Sequence, residues 1–258
     1  MSIEFALSQV AARASAPMNL RQPIELDGLP TPALVLERAA MERNVRKMAD
    51  HLQRSNKGFR PHSKTHKCPT IAALQMDMGA VGVCAAKISE AAIMLAAGIR
   101  SVLITSPIAT SAKARALNSL LAEYPDQQLL MVIDSDQGLA ALQNALDPER
   151  RLGLLVDIDL SMGRTGTREV DTMLRLIDAI VGDDRFEFRG IQHYAGHLMH
   201  IEDYAKRRDR SLASWARLDE FFAALEHRGI PLDIVTGGGT GTYDVDVAVE
   251  RLTDVQVG

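Results

Sequence analysis

The chain of 258 residues is 47% hydrophobic and carries a formal net charge of -4 at pH 7. Its length suits one large core, and the slightly acidic balance gives no electrostatic reason to expect nucleic acid or an anionic membrane as a partner. Cys68 and Cys84 form no C-x-x-C pattern, the start is a poor secretion signal, and no apolar run approaches the ~20 residues of a membrane helix, so we expect a cytoplasmic protein.

In chain order, residues 1–28 are predicted to form an irregular amino-terminal arm and residues 29–258 a single domain. The domain opens with a short apolar strand, Ala33–Leu36, and an amphipathic helix over about Glu37–Arg54. Eight apolar runs follow: Gly58–Ser63, Ala80–Ala85, Ser101–Thr105, Leu129–Ile133, Leu152–Ile158, Phe186–Tyr194, Leu232–Val235 and Val255–Val257. Helix-period stretches lie between them, among them Ile88–Ala97, Ser111–Glu123, Val170–Val181 and Tyr204–His227.

Apolar strands that alternate with helices favour a parallel sheet buried on both faces. Eight such strands fit an α/β fold of the closed (β/α)8 TIM-barrel type, with a doubly wound open sheet as the alternative. The sequence stops inside the apolar run Val255–Val257. We therefore expect a piece of a longer protein; a short natural chain with a frayed end is the other interpretation.

The most informative segment is R-P-H-S-K-T-H-K at residues 60–67. In an extended chain, alternation places Arg60, His62 and Lys64 on one face, at the strand end where barrel enzymes place their chemistry. A lysine amine attacks an aldehyde only when neutral, and cationic neighbours lower its pKa. The candidate neighbours are Arg60, His62, His66 and Lys67. The segment predicts a Schiff-base lysine at position 64 in a pocket for an anionic phosphate cofactor; a solvated basic edge is the alternative.

Two glycine-containing loops follow other predicted strands. In T-G-G-G-T-G-T at residues 236–242, backbone N–H groups and threonine hydroxyls can cradle a phosphate, and the pattern is neither a P-loop nor a Rossmann motif. In the turn of residues 157–166, Arg164 is presented as a clamp for a phenolate or a carboxylate. A flexible turn and a surface arginine beside paired aspartates are the respective alternatives.

Three histidines, His193, His197 and His200, follow one another across a strand-to-loop junction. No regular element would aim all three at one ion, and the H-E-x-x-H motif is absent, so we expect no metal site in this chain. We expect instead one proton carrier, one side chain packed beside the cofactor and one incidental residue.

Taken together, R-P-H-S-K-T-H-K, G-V-C, D-I-D-x-x-x-G-R-T-G, Q-x-Y-x-G-H and T-G-G-G-T-G-T-Y are highly specific. Their combination resembles the D-threonine aldolase and D-serine dehydratase-like family of alanine-racemase-type (fold type III) pyridoxal phosphate enzymes. The resemblance runs from about Leu29 to Gly258 and implies an alanine racemase N-terminal-type barrel.

The resemblance also assigns roles to single residues. It implies that Lys64 forms the Schiff base with pyridoxal phosphate, that Arg164 contacts the phenolic oxygen, and that Tyr194 lines the cofactor. His62, beside Lys64 in the basic segment, is a further predicted cofactor-binding residue. His200 matches a family histidine and is the candidate base.

For the far parts of the cofactor, the resemblance implies that Gly238, Gly239 and Thr240 form the phosphate loop. Gln256 stands where alanine racemases carry an arginine facing the pyridine nitrogen. An uncharged residue there is expected to leave that nitrogen unprotonated and to weaken the electron sink.

The resulting hypothesis is retro-aldol cleavage of a D-β-hydroxy-α-amino acid to glycine and an aldehyde. Dehydration of D-serine or D-threo-3-hydroxyaspartate, a non-catalytic pyridoxal phosphate-binding barrel, and a barrel without a cofactor are the alternatives. The resemblance further implies a homodimer and a second, β-rich domain, absent from this chain, that binds a divalent metal (Mn, Mg or Zn).

Overall fold

A computed structural model describes Gly28 and residues 31–258, so the predicted arm lies, apart from Gly28, outside the described residues. Strands and helices alternate along the described chain as α1 Arg38–Arg54, β1 Gly58–Phe59, α2 Pro69–Asp77, β2 Val83–Ala85, α3 Ile88–Ala96, β3 Ser101–Ile104, α4 Ser111–Glu123, β4 Gln128–Ile133, α5 Asp136–Gln143, β5 Leu152–Ile158, α6 Val170–Val181, β6 Phe186–His193, α7 Tyr204–Ala216, α8 Asp219–His227, β7 Ile234–Gly237, α9 Tyr243–Asp246 and β8 Asp254–Val255. Short 3-10 turns occupy Ser63–Thr65 and Gly196–His200.

The eight strands are parallel and follow the order β1-β8-β7-β6-β5-β4-β3-β2. The ends of this sheet meet, because parallel bridges join Phe59 to Ala80 and His62 to Cys84. The prediction of a (β/α)8 barrel is therefore confirmed, and the open-sheet alternative is excluded.

The strands are continuous apolar runs in the sequence because both of their faces are buried in the core. Every residue of β5 is buried, because one face of the strand fills the barrel and the other packs against helices. The side chains that fill the barrel form a small separate cluster of Cys84, Leu103, Leu130, Val132, Leu155 and Ile234. Their neighbours along the strands belong to the larger cluster under the helices.

Polar side chains mark where several helices begin. Thr110, Ser135 and Asp203 each accept a hydrogen bond from a backbone N–H in the first turn of α4, α5 and α7, respectively. Such caps satisfy donors that have no partner within the helix. The helices predicted to begin at Ser111 and Tyr204 accordingly start at those residues, whereas α5 was not predicted.

The predicted helix Tyr204–His227 is wrong as a single element, because the chain turns between α7 and α8. Leu218 is fully buried at this turn. The apolar spacing from Trp215 through Leu218 to Leu225 continues across the break, and neither Pro nor Gly marks it. The turn lets α7 reach the loop after β7 while α8 packs against α6.

The predicted strand Ala33–Leu36 is also wrong, since the described chain has no strand there. Leu34, Val35 and Leu36 are exposed, and no described strand lies beside them to pair with. A strand needs a hydrogen-bonded neighbour, so an apolar run alone is not sufficient.

One lysine connects the chain just before β1 to the segment that precedes β8. The Lys57 ammonium group, just before β1, donates to the carbonyl oxygens of Val249 (2.9 Å), Glu250 (3.0 Å) and Leu252 (2.8 Å). These carbonyls precede β8, so we call this contact the Lys57 clasp. It holds β1 beside β8, where the first and the last strand of the barrel are paired.

Candidate active site

A cavity of about 210 Å³ opens at the carboxyl ends of the strands. Its walls come from the ends of β1, β2, β3, β6 and β7, from the loop after β5, and from the end of the chain. They are His62, Lys64, Thr65, Ala86, Thr105, Ser106, Arg164, Gln192, Tyr194, Met199, Gly239, Thr240, Gln256 and Gly258. The cavity thus brings together seven of the nine residues proposed from sequence; His200 and Gly238 lie outside its lining.

Lys64 reaches the cavity from a 3-10 turn, so the extended arrangement considered for Arg60, His62 and Lys64 does not continue to the lysine. The extended chain ends at His62, which pairs with Cys84. Two local bonds fold the turn: the Lys64 N–H donates to His62 Nδ1 (3.3 Å), and Ser63 Oγ donates to the Cys84 carbonyl (2.8 Å).

Burial and then the nearby Arg164 guanidinium hold the pKa of Lys64 below its ordinary value. The Lys64 Nζ lies 5.4 Å and the Arg164 guanidinium carbon 5.1 Å from the centre of the Tyr194 ring. Arg60 does not take part as expected, because it is buried and paired with Asp254 (3.2 Å). The cation that acts on Lys64 thus comes from the loop after β5.

His62 is neutral in this environment. Burial, followed by Lys64 and Arg164, lowers its pKa to about 3. Because Nδ1 accepts from the turn, Nε2 carries the proton and donates to Thr105 Oγ1 (3.0 Å). His62 therefore supports the Lys64 turn as a fixed neutral ring.

Gln192 and Gln256 line the bottom of the cavity, and Asp157 lies behind them in the same hydrogen-bond network; we use "floor" for these three residues. Gln192 Nε2 donates to Asp157 Oδ1 (2.8 Å), and Gln256 Nε2 donates to Gln192 Oε1 (3.0 Å). Asp157 Oδ2 accepts from the Thr165 hydroxyl (2.9 Å). Burial raises the pKa of Asp157 to about 7, against the opposing effect of its hydrogen-bond donors.

The loop of residues 238–242 is folded around a buried carboxylate. Asp246 accepts from Ser211 Oγ (2.6 Å), Thr242 Oγ1 (2.6 Å) and Trp215 Nε1 (3.1 Å). Gly238 has φ +66°, and a Cβ on it would overlap Asp246 Oδ2. Only glycine fits there.

The same loop leaves donors free beside the cavity. Among the described residues, the backbone N–H groups of Gly239, Thr240 and Gly241 have no protein acceptor. Gly239 is buried, and an unpartnered buried N–H is costly unless a ligand or water accepts from it. Adjacent N–H groups of this kind suit an anionic phosphate group.

Arg164 is held by the turn that precedes it. Asp159 accepts from the backbone N–H groups of Ser161 (3.0 Å), Met162 (2.7 Å) and Arg164 (2.7 Å). Although burial alone would raise the pKa of Asp159, these donors lower it. The aspartate thus shapes a turn that carries the arginine to the cavity.

The three histidines are not brought to one point. His193 is buried, with Nδ1 against the Ile158 carbonyl and Nε2 against Ser214 Oγ (both 2.9 Å), and burial lowers its pKa. His197 and His200 are exposed on the second 3-10 turn. No cluster of three potential metal ligands occurs in the part of the chain that the structure describes. The role of His200 as a base stays a prediction.

Sequence reasoning missed Thr105, Ser106, Asp157 and Met199 as site residues. Thr105 and Ser106 follow an apolar strand directly, which is a readable signal for a barrel rim. Met199 carries no such signal, because its place depends on how the second 3-10 turn folds.

No helix in the described part of the chain is long and apolar enough to cross a membrane.

Comparison with known proteins supports the expected relationship. The 3-hydroxy-D-aspartate aldolase of Paracoccus denitrificans (strain Pd 1222) is 34% identical over 217 residues, covering 83% of this chain and 55% of the relative. The D-threonine aldolase of an Arthrobacter species is 32% identical over 260 residues, covering 98% of this chain and 66% of the relative. The chain thus spans a little over half to two thirds of these relatives.

The solved structures agree. The crystal structure of D-threonine aldolase from Filomicrobium marinum superposes with a TM-score of 0.85 at 35% identity, over 90% of this chain and 63% of that one. The family model described as alanine racemase, N-terminal domain, matches residues 36–258. The chain therefore belongs to the alanine racemase N-terminal domain family.

Proposed function

We propose that this chain binds pyridoxal phosphate at Lys64 and is the barrel of a carbon–carbon lyase that cleaves D-β-hydroxy-α-amino acids to glycine and an aldehyde. The observation that carries the proposal is an amine with a lowered pKa, Lys64, inside a cavity that also holds Arg164, Tyr194 and a glycine loop with free N–H groups.

The donors of the cavity fit the coenzyme. Gly239 and Thr240 would hold the phosphate with backbone N–H groups, and Arg164 would face the phenolic oxygen. When bound, pyridoxal phosphate supplies an aldehyde that condenses with amines and a ring that takes up the electrons of the broken bond.

The chain's own groups prepare this chemistry. Burial and then Arg164 lower the pKa of Lys64, which favours the uncharged amine that acts as a nucleophile. The neutral His62 ring fixes the Lys64 turn, and the Tyr194 ring lies beside both the Lys64 amine and the Arg164 guanidinium group. His200 is the proposed base for the β-hydroxyl proton, and its neighbour Met199 lines the cavity.

The names of the relatives favour aldol cleavage. Two aldolases are 32 to 34% identical to this chain, whereas the D-threo-3-hydroxyaspartate dehydratase of a Delftia species is 27% identical. Dehydration is therefore the second candidate. A divalent metal (Mn, Mg or Zn), a homodimer and a cytoplasmic location are proposed for a protein of the length of these relatives.

Borohydride reduction followed by peptide mapping tests the coenzyme site. The coenzyme should be fixed to Lys64 in the wild type, and Lys64→Ala should lose both the label and the visible absorption band. Lys87→Ala is the matched control, because Lys87 lines the neighbouring pocket and should not affect labelling. A label on another lysine would refute the assignment.

Product analysis separates the two reactions. Incubation of protein extended to the length of its relatives with D-threonine should yield glycine and acetaldehyde. Pyruvate and ammonia from D-serine, without glycine from D-threonine, would favour the dehydratase instead.

A further inference from the structure

The hydrogen bonds of the floor can run in only one donor-to-acceptor direction, because a carboxylate acceptor lies at each end of the network. At one end, Asp157 accepts both from Gln192 Nε2 (2.8 Å) and from the Thr165 hydroxyl (2.9 Å). Above its pKa of about 7, Asp157 is ionised, and an ionised carboxylate can only accept. The amide nitrogen of Gln192 therefore faces Asp157, and its oxygen faces Gln256.

At the other end, Asp254 is paired with the buried Arg60 (3.2 Å) and accepts from the Thr236 hydroxyl. The Thr236 oxygen is thus left as an acceptor, and Gln256 Nε2 donates to it (3.2 Å). The same Gln256 nitrogen donates to Gln192 Oε1 (3.0 Å).

These bonds determine which end of the Gln256 amide the cavity sees. Amide oxygen and nitrogen are assigned from the surrounding network, and here both neighbours of Gln256 require its nitrogen. Turning the amide over would set Gln256 Oε1 against Gln192 Oε1 and leave buried acceptors unpaired, which is unfavourable. Gln256 Oε1 accepts from no described residue and is the free polar atom of the floor.

We propose that Asp157 and Asp254, acting through Gln192 and Thr236, fix Gln256 as a hydrogen-bond acceptor, so that the site takes a coenzyme whose ring nitrogen carries a proton. The inference rests on the proposed function. With the aldehyde at Lys64, the phosphate at the glycine loop and the phenolic oxygen at Arg164, the ring nitrogen is the coenzyme's remaining polar atom. The inference reverses the sequence-based expectation of an unprotonated nitrogen.

The test uses pyridoxal phosphate labelled with 15N in the ring and bound to the protein. The 15N chemical shift reports the protonation of this nitrogen directly, at a pH well above the Asp157 pKa of about 7. The wild type should show the protonated signal. Gln256→Leu should lower the proton affinity of the nitrogen about tenfold, while Gln256→Glu, which can only accept, should keep the proton.

A second set of variants tests the two carboxylate-directed contacts. Asp157→Leu combined with Thr236→Val frees the Gln256 amide to turn over, so the protonated fraction should fall. Adding Gln256→Glu should restore it, which a merely structural defect would not allow. Should the combined variant fail to fold, a pH titration of the 15N signal in the wild type and in Gln256→Leu still decides the matter.

The outcomes separate the two proposals. An unprotonated nitrogen in wild-type protein that carries the borohydride label on Lys64 overturns the Gln256 inference alone. The absence of any label on Lys64 overturns the coenzyme assignment, and the inference with it.

Discussion

The floor of the cavity and its rim, by which we mean Arg164, Tyr194, Met199 and His200, are built differently. Gln192 and Gln256 are 1% and 7% exposed and lie in a network that runs to Asp157 on one side and Asp254 on the other. The rim residues lie on turns and are partly or fully exposed. Hydrogen bonds within the barrel therefore fix the positions of the floor residues, whereas the side chains of the rim are free to adjust to a bound ligand.

The largest effect on stability is expected beneath the floor. Arg60→Met leaves Asp254 buried without its cation, which should lower the free energy of unfolding by about 3–5 kcal/mol. Denaturant titration measures the change. Arg175→Met is the control, because the exposed Arg175–Asp136 pair should contribute about 0–1 kcal/mol. Equal effects of the two variants would show that the floor is not specially dependent on its buried ion pair.

The next effect is a change in the pH dependence of stability. The folded state holds the pKa of His62 at about 3, so His62 makes stability rise with pH from about 3 to its ordinary 6.5. Asp157 has its pKa raised to about 7 from 3.8, so it makes stability fall with pH across that window. The two contributions oppose each other in the wild type.

Removing either group should therefore change the slope of the unfolding free energy against pH in a known direction. Between about pH 4 and 6.5, His62→Gln should make the slope of the unfolding free energy against pH more negative than in the wild type, and Asp157→Asn should make that slope more positive. Urea titrations at several pH values measure both slopes. Parallel profiles for the two variants would contradict the assignment of these pKa values.

A smaller effect is expected at the rim. Tyr194→Leu removes the ring that faces Lys64 and Arg164, and each such contact contributes about 0.5–1 kcal/mol. Together the two contacts amount to about 1–2 kcal/mol, so affinity for pyridoxal phosphate should fall about five- to thirtyfold. Tyr204→Leu removes a similar contact between Tyr204 and Arg207, neither of which lines the cavity, and should leave coenzyme affinity unchanged.

The smallest effect on stability should come from His200→Ala. His200 is exposed, so its loss should change the free energy of unfolding by less than about 0.5 kcal/mol. If His200 is the base, kcat for aldol cleavage should nevertheless fall about 100-fold. His197→Ala, on the same turn, is the matched control; equal losses of kcat in both variants would indicate a defect of the turn rather than of a base.

Most of the fold is predictable because it depends on local patterns. The buried run of β5 and its neighbours, separated by helix-period stretches, indicates a parallel barrel before any contact is known. Leu218 is the counterexample. The helix breaks near this residue, where Trp215 donates a hydrogen bond to the distant Asp246. The local spacing of apolar residues does not reveal such a contact.

The sequence predicts which residues belong to the candidate site better than it predicts how these residues are arranged. Lys64, Arg164 and Gly239 can be identified from the sequence because each follows a predicted strand. The carboxyl ends of barrel strands converge, so such residues meet at one site. Which cation acts on Lys64 was not predictable: Arg60 is the nearer in sequence, but its side chain is taken up by Asp254. The floor network likewise joins strands far apart in the chain, so no local motif reports it.

The Lys57 clasp has a consequence for biosynthesis. The carbonyl oxygens that it binds and the strand that it positions are among the last residues of the sequence, whereas Lys57 precedes the first strand. A nascent chain must therefore leave β1 without its β8 partner until nearly all of the barrel has emerged from the ribosome. Circularisation of the sheet is a late event, and the exposed edge of β1 is the segment that a chaperone would have to shield until then.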